Sequence, residues 1–424
     1  MLHTSLLRAS PVLVITNLPA SGTTAALKGY VLGGDPATQA VVVFIYVPGY
    51  GWVNKPFCTP ALTTIQPDGS WSANIASPGT GDTNATRIAA LLVSTNYNEP
   101  CVLGLPALPT NVYAQAIAKA VVTRPSSGVR FLSFSGYNWW VKTSAGVVGP
   151  GPNYFSDSTN NVWTDTNGWL HLRITNRSNA WQCAEIISAR TFGYGNYRFE
   201  LNSVADNLDP NVTLGLFTWS DDPAFTDREI DVECGRWQNA ADTNNAQFVV
   251  QPFDGANHLV RYRVPSGLAD STHLFVWESN RVSFQSQSNA YSVVATNLIS
   301  SSVFTDATAV PQTGDENVHL NLWLVQGTAP VNNSEVEVVI KNFNFVPLGT
   351  APPGVLGPLK GSSGNPPQFA VSAVPDWRYD LQASTDLILW QDLGVFVASN
   401  NLIGFRDTNA NGVNPRFYRA ITLP

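Results

Sequence analysis

Residues 229 to 233 read Glu-Ile-Asp-Val-Glu, an alternation of acidic and apolar side chains. In a β-strand successive side chains point to opposite faces. Glu229, Asp231 and Glu233 then share one face, and Ile230, Val232 and Cys234 the other. Like charges in a row on one face repel each other, a poor arrangement for stability alone. It suits acid–base chemistry that needs one ionised carboxylate beside one carboxyl held protonated, because each charge raises the proton affinity of its neighbours.

The segments that must position these carboxyls also read as strands. Upstream lie Trp181-Gln182-Cys183-Ala184-Glu185-Ile186, then Phe192-Gly193-Tyr194-Gly195-Asn196-Tyr197-Arg198-Phe199-Glu200, then Gly215-Leu216-Phe217-Thr218-Trp219. Downstream come Thr272-His273-Leu274-Phe275-Val276-Trp277, with Arg281 and Phe284, and His319-Leu320-Asn321-Leu322-Trp323. In content and order, over about 129 to 347, this stretch resembles glycoside hydrolase family 16 of the laminarinase and lichenase type, whose hallmark is Glu-x-Asp-x-Glu on a central strand. The resemblance implies an all-β chain with a central curved β-sandwich of jelly-roll, concanavalin-like form. It further implies Glu229 as nucleophile, Glu233 as acid/base and Asp231 as the residue between them. Two features depart from the pattern: the extra residue that many members place before the last Glu is missing, and Cys234 stands where a larger apolar residue is common.

Glycoside hydrolysis uses two carboxyls, about 5 to 5.5 Å apart in retaining enzymes. In a regular strand Glu229 and Glu233 have Cα atoms about 13 Å apart, so their side chains would have to lean inward over Asp231. Spacing alone leaves retention and inversion open, and retention is what the resemblance implies. Trp219 and Trp237 flank the motif and could stack sugar rings, since aromatic faces take apolar C–H surfaces. Core packing is the competing role for either. Asn153, in the turn-like Gly149-Pro150-Gly151-Pro152-Asn153-Tyr154, is a candidate substrate contact or a plain turn residue. His273 shares strand parity with Phe275 and Trp277 and reads as a core or supporting histidine. The adjacent Trp139 and Trp140 point opposite ways if extended. Two functions fit these residues: a secreted, endo-acting hydrolase of a β-linked polysaccharide, and a glycan-binding or matrix-assembly protein on the same fold.

With 23 basic against 30 acidic residues the chain has a formal charge of −7, which disfavours nucleic acid and anionic membrane as partners. No run approaches the ~20 apolar residues of a membrane span. The start, Met1 to Ile15, carries Arg8 and Pro11 where a signal peptide keeps an unbroken apolar core. No leader is read there, although a polymer substrate implies an extracellular or cell-surface setting. Oligomeric state is left open. No cysteine spacing resembles a zinc site. No cofactor is expected, with room only for a structural calcium ion. Cys234 is expected as a buried thiol, and Cys58 and Cys101 as a disulfide.

At 424 residues, 32 of them Gly and 29 Pro, the chain is too long for one ordinary domain and has the composition of turn-rich β structure. Residues 1–124 read as an N-terminal β module, with strand-like runs at 29–32, 40–47 and 88–93 and a Pro67-Asp68-Gly69 turn before Trp71. Thr123 to Gly128 has linker composition, and 129–347 is the hydrolase-like sandwich. A Pro, Gly and Ser-rich linker at 348–367 precedes a small C-terminal β module at 368–424. Limited proteolysis is expected to cut that second linker first.

Overall fold

The computed structural model describes residues 11–56, 58, 62–77, 81–98, 100–124, 128–203, 205–220, 227–289, 297–348, 355–356, 367–372, 378–387, 389–397, 402–410 and 416–423. The fold is all-β. The chain divides into two compact units, one made of residues 1–120 and 349–424 and the other of residues 121–348.

The second unit is built on strands β1 (Leu170–Arg177), β2 (Ala180–Ser188), β3 (Gly195–Asn202), β4 (Val212–Trp219), β5 (Ile230–Gly235), β6 (Ala246–Val250), β7 (Leu259–Tyr262), β8 (Asp270–Glu278), β9 (Arg281–Ser288), β10 (Leu298–Phe304), β11 (Asn317–Leu324) and β12 (Val336–Pro347). They pair in the order β7-β6-β5-β4-β11-β2-β1-β12-β3-β8-β9-β10. This long curved sheet folds over so that both halves contribute to one core, with Leu216, Ile230, Val232, Phe248 and Leu320 from one half and Tyr197, Phe275, Trp277 and Ile340 from the other. Period-two alternation sets which face is which. On β5 the side chains of Ile230, Val232 and Cys234 are fully buried in this core, and Asp231 and Glu233 take the opposite face. The same alternation places Leu214 and Leu216 of β4 and Leu320 and Leu322 of β11 inside, which leaves Gly215, Phe217, His319 and Asn321 on the acidic face.

β5 pairs with β4 from Thr213↔Gly235 to Thr218↔Ile230, and with β6 from Ile230↔Val250 to Cys234↔Ala246, without a register shift on either side. The motif strand is therefore the unbulged form expected from the sequence. Trp139 is fully buried and Trp140 partly so, on opposite faces. His273 lies in the core between Ser271 Oγ (3.0 Å) and Ser286 Oγ (2.8 Å), and burial pushes its ring down to about 4. A neutral histidine satisfied by hydroxyls is a packing element.

In the other unit, Gln39–Val47 and Arg87–Ser94 pair antiparallel, and Val41 to Ile45 and Ile88 to Val93 are inaccessible to solvent. Strands buried on both faces read as continuous apolar runs, which is why they stand out in the sequence. The C-terminal residues form two three-stranded sheets over a small core of Phe369, Val371 and Leu381. Most of the stretch read as a linker at 348–367, and Pro125 to Ser127 of the first linker, lie outside the described residues. Within 348–367, however, Val355–Leu356 form a short strand paired with Val371 and Ser372, so that range is not uniformly a tether. Two apolar residues between Pro and Gly runs suffice to extend a sheet edge.

Cys58 and Cys101 are joined by a disulfide, with Cα atoms 5.2 Å apart and 43 residues of separation, whereas Cys183 and Cys234 are buried thiols. Closing a loop of that length removes unfolded-chain entropy worth about 4 kcal/mol in the chain-entropy model. Replacing both Cys58 and Cys101 by Ser is expected to lower the unfolding free energy of this unit by about that amount, read by denaturant titration. A change below about 1 kcal/mol would show that the loop is already constrained without the bond.

Candidate active site

The acidic face of the β7-to-β2 half-sheet floors a cavity of about 870 Å³. Glu229, Asp231, Glu233, Trp219 and Trp237 all line it, together with Phe217, Gln247, Arg261, His319, Asn321 and Trp323. Asn153 does not. It is buried, and its amide donates to the carbonyls of Pro150 (2.7 Å) and Leu324 (2.8 Å). Its expected contact with substrate is therefore corrected to a structural role. It ties down the loop whose Gly149 and Pro150 form part of the cavity wall.

Register builds the floor. One cross-strand row runs Arg261 (β7), Gln247 (β6), Glu233 (β5), Gly215 (β4), Asn321 (β11) and Glu185 (β2). The next contains Leu259, Val249, Asp231, Phe217 and His319. A Cβ at Gly215 would lie 2.5 Å from Asn321 Oδ1 and 3.3 Å from the Phe217 ring, so a side chain there would displace the Asn321 amide beside Glu233.

The turn into β5 is fixed by a buried ion pair. Asp227 and Arg228 both adopt left-handed backbone, φ 53° and 51°, a conformation costly for residues with a Cβ unless the surroundings enforce it. Here they do. Arg228 Nη1 contacts Asp315 Oδ1 at 3.1 Å with both side chains almost wholly buried, its Nε donates to the Gln312 carbonyl, and Thr218 Oγ1 donates to the Arg228 carbonyl. Gly314 packs so tightly on the guanidinium that a Cβ would sit 2.5 Å from it. Glu229 leaves this clamped turn directly into the cleft.

Burial dominates the proton affinities. Asp231, 2% exposed, is raised well above the ordinary carboxylate range by desolvation, then by the charges of Glu229 and Glu233. It keeps its proton and shares it in a hydrogen bond with Glu229, with Gln251 Nε2 at 3.4 Å on its other side. Desolvation pushes Glu229 up to about 8, reinforced by Glu233 and Asp227 and opposed by the bond from Asp231. Desolvation pushes Glu233 up to about 7, opposed by an amide bond from Gln247 (2.6 Å) and by the charge of Arg261. Near neutral pH the cluster holds both an acid and a base.

A second charged group on the same floor behaves oppositely. Burial works to raise Glu185, but the Lys142 ammonium at 2.8 Å and the His319 ring at 2.7 Å outweigh it and hold the carboxyl below its ordinary value. An ionised carboxylate only accepts, so His319 Nδ1 is the donor. Trp237 and Gln238 after β5 are again left-handed, φ 46° and 67°. The Arg261 guanidinium stacks over the Trp237 ring at 4.3 Å. The sequence reading passed over Gln247, Gln251, Arg261 and Asn321 as functional groups. The same alternation could have found Asn321, which stands between the buried Leu320 and Leu322, but Gln247, Gln251 and Arg261 carry no such local signal. Among the described residues no group of three or more His, Cys, Asp or Glu is placed to hold a metal ion.

Folded carboxyls that bind protons more tightly than unfolded ones make stability fall as pH rises. For Glu229 the window runs from the ordinary 4.5 to about 8. Glu229→Gln is expected to flatten that fall, measured by denaturant unfolding at a series of pH values. An unaltered slope would mean that the carboxyl is fully solvated in the folded protein.

No family model matches the chain, and no curated protein matches it. Among solved structures it is similar to a Bacillus licheniformis β-glucanase, with 20% identity over 52% of this chain and 99% of that one and a TM-score of 0.39. A prokaryotic β-1,3-1,4-glucanase (lichenase) from a mouse hindgut metagenome shows 19% identity over 51% and 96% of the two chains, with a TM-score of 0.39. An immunostimulatory antigen and pseudo β-1,3-glucanase of Mycobacterium tuberculosis shows 19% identity over 48% and 88%, with a TM-score of 0.37.

Proposed function

We propose that the chain is an endo-acting glycoside hydrolase that cleaves a neutral, β-linked polysaccharide outside the cell, with retention. The observation that carries this reading is the carboxyl cluster: Glu229, Asp231 and Glu233 sit on one strand face in a cleft, with a hydrogen bond from Asp231 that favours the Glu229 carboxylate and one from Gln247 to Glu233. In the proposed reaction the Glu229 carboxylate attacks the anomeric carbon while Glu233 gives its proton to the departing glycosidic oxygen. Glu233 then takes a proton from water, which displaces Glu229 from the sugar. Asp231 keeps its own proton and supports Glu229 through their hydrogen bond. The chemistry asks for no cofactor, and a structural calcium ion would act on stability alone.

Two observations support the finer parts of the reading. Glu233 is on the third of six strands in its row, so the floor extends on both sides of the bond to be cut. That favours attack within a chain. The described cations of the cleft are already engaged: Lys142 by Glu185, Arg261 by Asp242, and Arg236 by the carbonyls of Leu208 and Asp206. Two of the three are thus neutralised by a carboxylate, which leaves little counter-charge for sulfate or uronate groups. One observation favours a binding-only protein, namely that burial raises the proton affinity of Glu229, the carboxyl that must ionise to attack.

Reducing-end release from laminarin, lichenan, agarose and carrageenan, with binding measured in parallel, separates the readings. Release is expected from a neutral glucan and not from carrageenan, whereas binding without release throughout would establish the second reading. Glu233→Gln is expected to lose a factor of about 10² to 10⁴ in kcat, and Glu229→Gln more. Azide should rescue the Ala variants with opposite anomeric products, an α-azide from Glu229→Ala and a β-azide from Glu233→Ala. The reverse pattern would exchange the two roles.

A further inference from the structure

We propose that Arg261 is a positioning residue that ties a preset aromatic platform, Trp237, to the carboxyl of Glu233 by way of Gln247. The inference rests on the reading of Glu233 as the acid/base given above.

The platform is held from every side. Trp237 and Gln238 occupy left-handed backbone, which persists only where the surroundings over-determine it. Before them, Arg236 donates to the carbonyls of Leu208 (3.0 Å) and Asp206 (2.8 Å). After them, Gln238 donates from its backbone to the Pro210 carbonyl (2.8 Å) and from its side chain to Thr328 Oγ1 (2.7 Å). The Arg261 guanidinium lies 4.3 Å from the ring centroid of Trp237. That occupies one face of the indole, so a sugar ring can stack only on the other.

Arg261 then spreads its planar fork over three acceptors: Asp242 Oδ2 at 2.5 Å, the Asn244 carbonyl at 2.8 Å and Gln247 Oε1 at 3.3 Å. A guanidinium only donates, so it fixes which way the Gln247 amide faces. With Oε1 turned to Arg261, the amide nitrogen donates to Glu233 Oε2 at 2.6 Å. An oxygen already accepting from that nitrogen is the wrong one to carry a proton toward it. When Glu233 is protonated, the proton is therefore on Oε1. The chain Arg261–Gln247–Glu233 selects which oxygen acts as acid, and its other end sets the aromatic ring beside that oxygen.

The titratable groups lining the cleft with Glu233 are Glu229 and the protonated Asp231 of the same motif, Arg261 from β7, Arg236 and Asp242 from the segment after β5, and Lys142, Glu185 and His319 at the far end of the floor. The paired positions on β4 and β6 present only Gly215 and Gln247. Arg261 is the cation whose charge lowers the proton affinity of Glu233.

The test uses the full chain with ¹³C-labelled glutamate carboxyls, the Glu233 signal being assigned by its loss in Glu233→Gln. Arg261→Met is expected to raise the Glu233 titration by about one pH unit, a tenfold change in proton affinity, and to move the basic limb of kcat the same way while KM for the glycan rises. Arg261→Lys keeps the charge but not the fork, so a smaller titration shift with the same rise in KM is expected. Exposed Arg263→Ala should change neither. If Glu233 titrates in Arg261→Met as in the unmodified protein, the proposal is overturned; should that variant not fold, Arg261→Lys matching the unmodified protein in both titration and KM overturns it instead. A chain that releases no sugar from any glycan would defeat the hydrolase reading, yet the titration would still decide whether Arg261 acts on Glu233.

Discussion

The constraint on which this structure depends is the partial burial of three acids along one strand whose other face is locked into the core. Ile230, Val232 and Cys234 cannot leave the interior without exposing a wholly buried surface, and strand parity then forces Glu229, Asp231 and Glu233 into the cleft. A slip of one residue would bury the acids and expose the core, so register here is as tightly specified as the core itself. Desolvation there makes the acids hold their protons, and mutual repulsion reinforces it for Glu229 and Asp231. The core thus drives the alignment, and the alignment places the acids where burial raises their proton affinities.

Such a strand needs firm ends, because its charged face favours fraying. Both ends of β5 are turns of non-glycine residues in left-handed backbone, at Asp227-Arg228 and Trp237-Gln238. Each is held by contacts made elsewhere in the fold: Arg228 with Asp315, and Arg236 and Gln238 with the backbone around Leu208 and Pro210. Breaking a buried pair such as Arg228–Asp315 typically costs about 3 to 5 kcal/mol, since the surviving charge is stranded. The strain at the turns and the ion pair together position Glu229 and Trp237 at the two ends of the motif.

How much of this was legible in the sequence follows from the range of each interaction. The motif strand and its neighbours could be read because their alternation is local, and the Cys58–Cys101 pairing because both cysteines fall in one module. Asn153 stood open between substrate contact and turn residue because its partners are Pro150, three residues away, and Leu324, 171 residues away. A turn-like stretch gives no hint that the side chain faces a distant carbonyl. Gln247 and Arg261 were missed for a related reason. Their importance comes from lying in register with Glu233 across β6 and β7, and pairing between strands is not written in either strand alone. The grouping of residues 349–424 with residues 1–120 has no local signal at all.

The cleft floor contains its own control experiment in electrostatics. Glu185 and Glu233 lie on the same cross-strand row and are both sheltered from water, yet one is held below its ordinary value and the other is raised to about 7. Burial pushes both upward, so the difference must come from their partners. Glu185 touches a lysine ammonium and a histidine directly, and a close opposite charge outweighs desolvation. Glu233 has a cation on the same row, but Arg261 is kept one residue away by the neutral amide of Gln247. A direct contact would drive the proton off Glu233 and leave a fixed ion pair like that of Glu185, which can bind but cannot donate. The interposed amide passes on enough of the charge to bring the carboxyl back toward neutrality while leaving it able to hold a proton, and this separates the reactive end of the floor from its inert end.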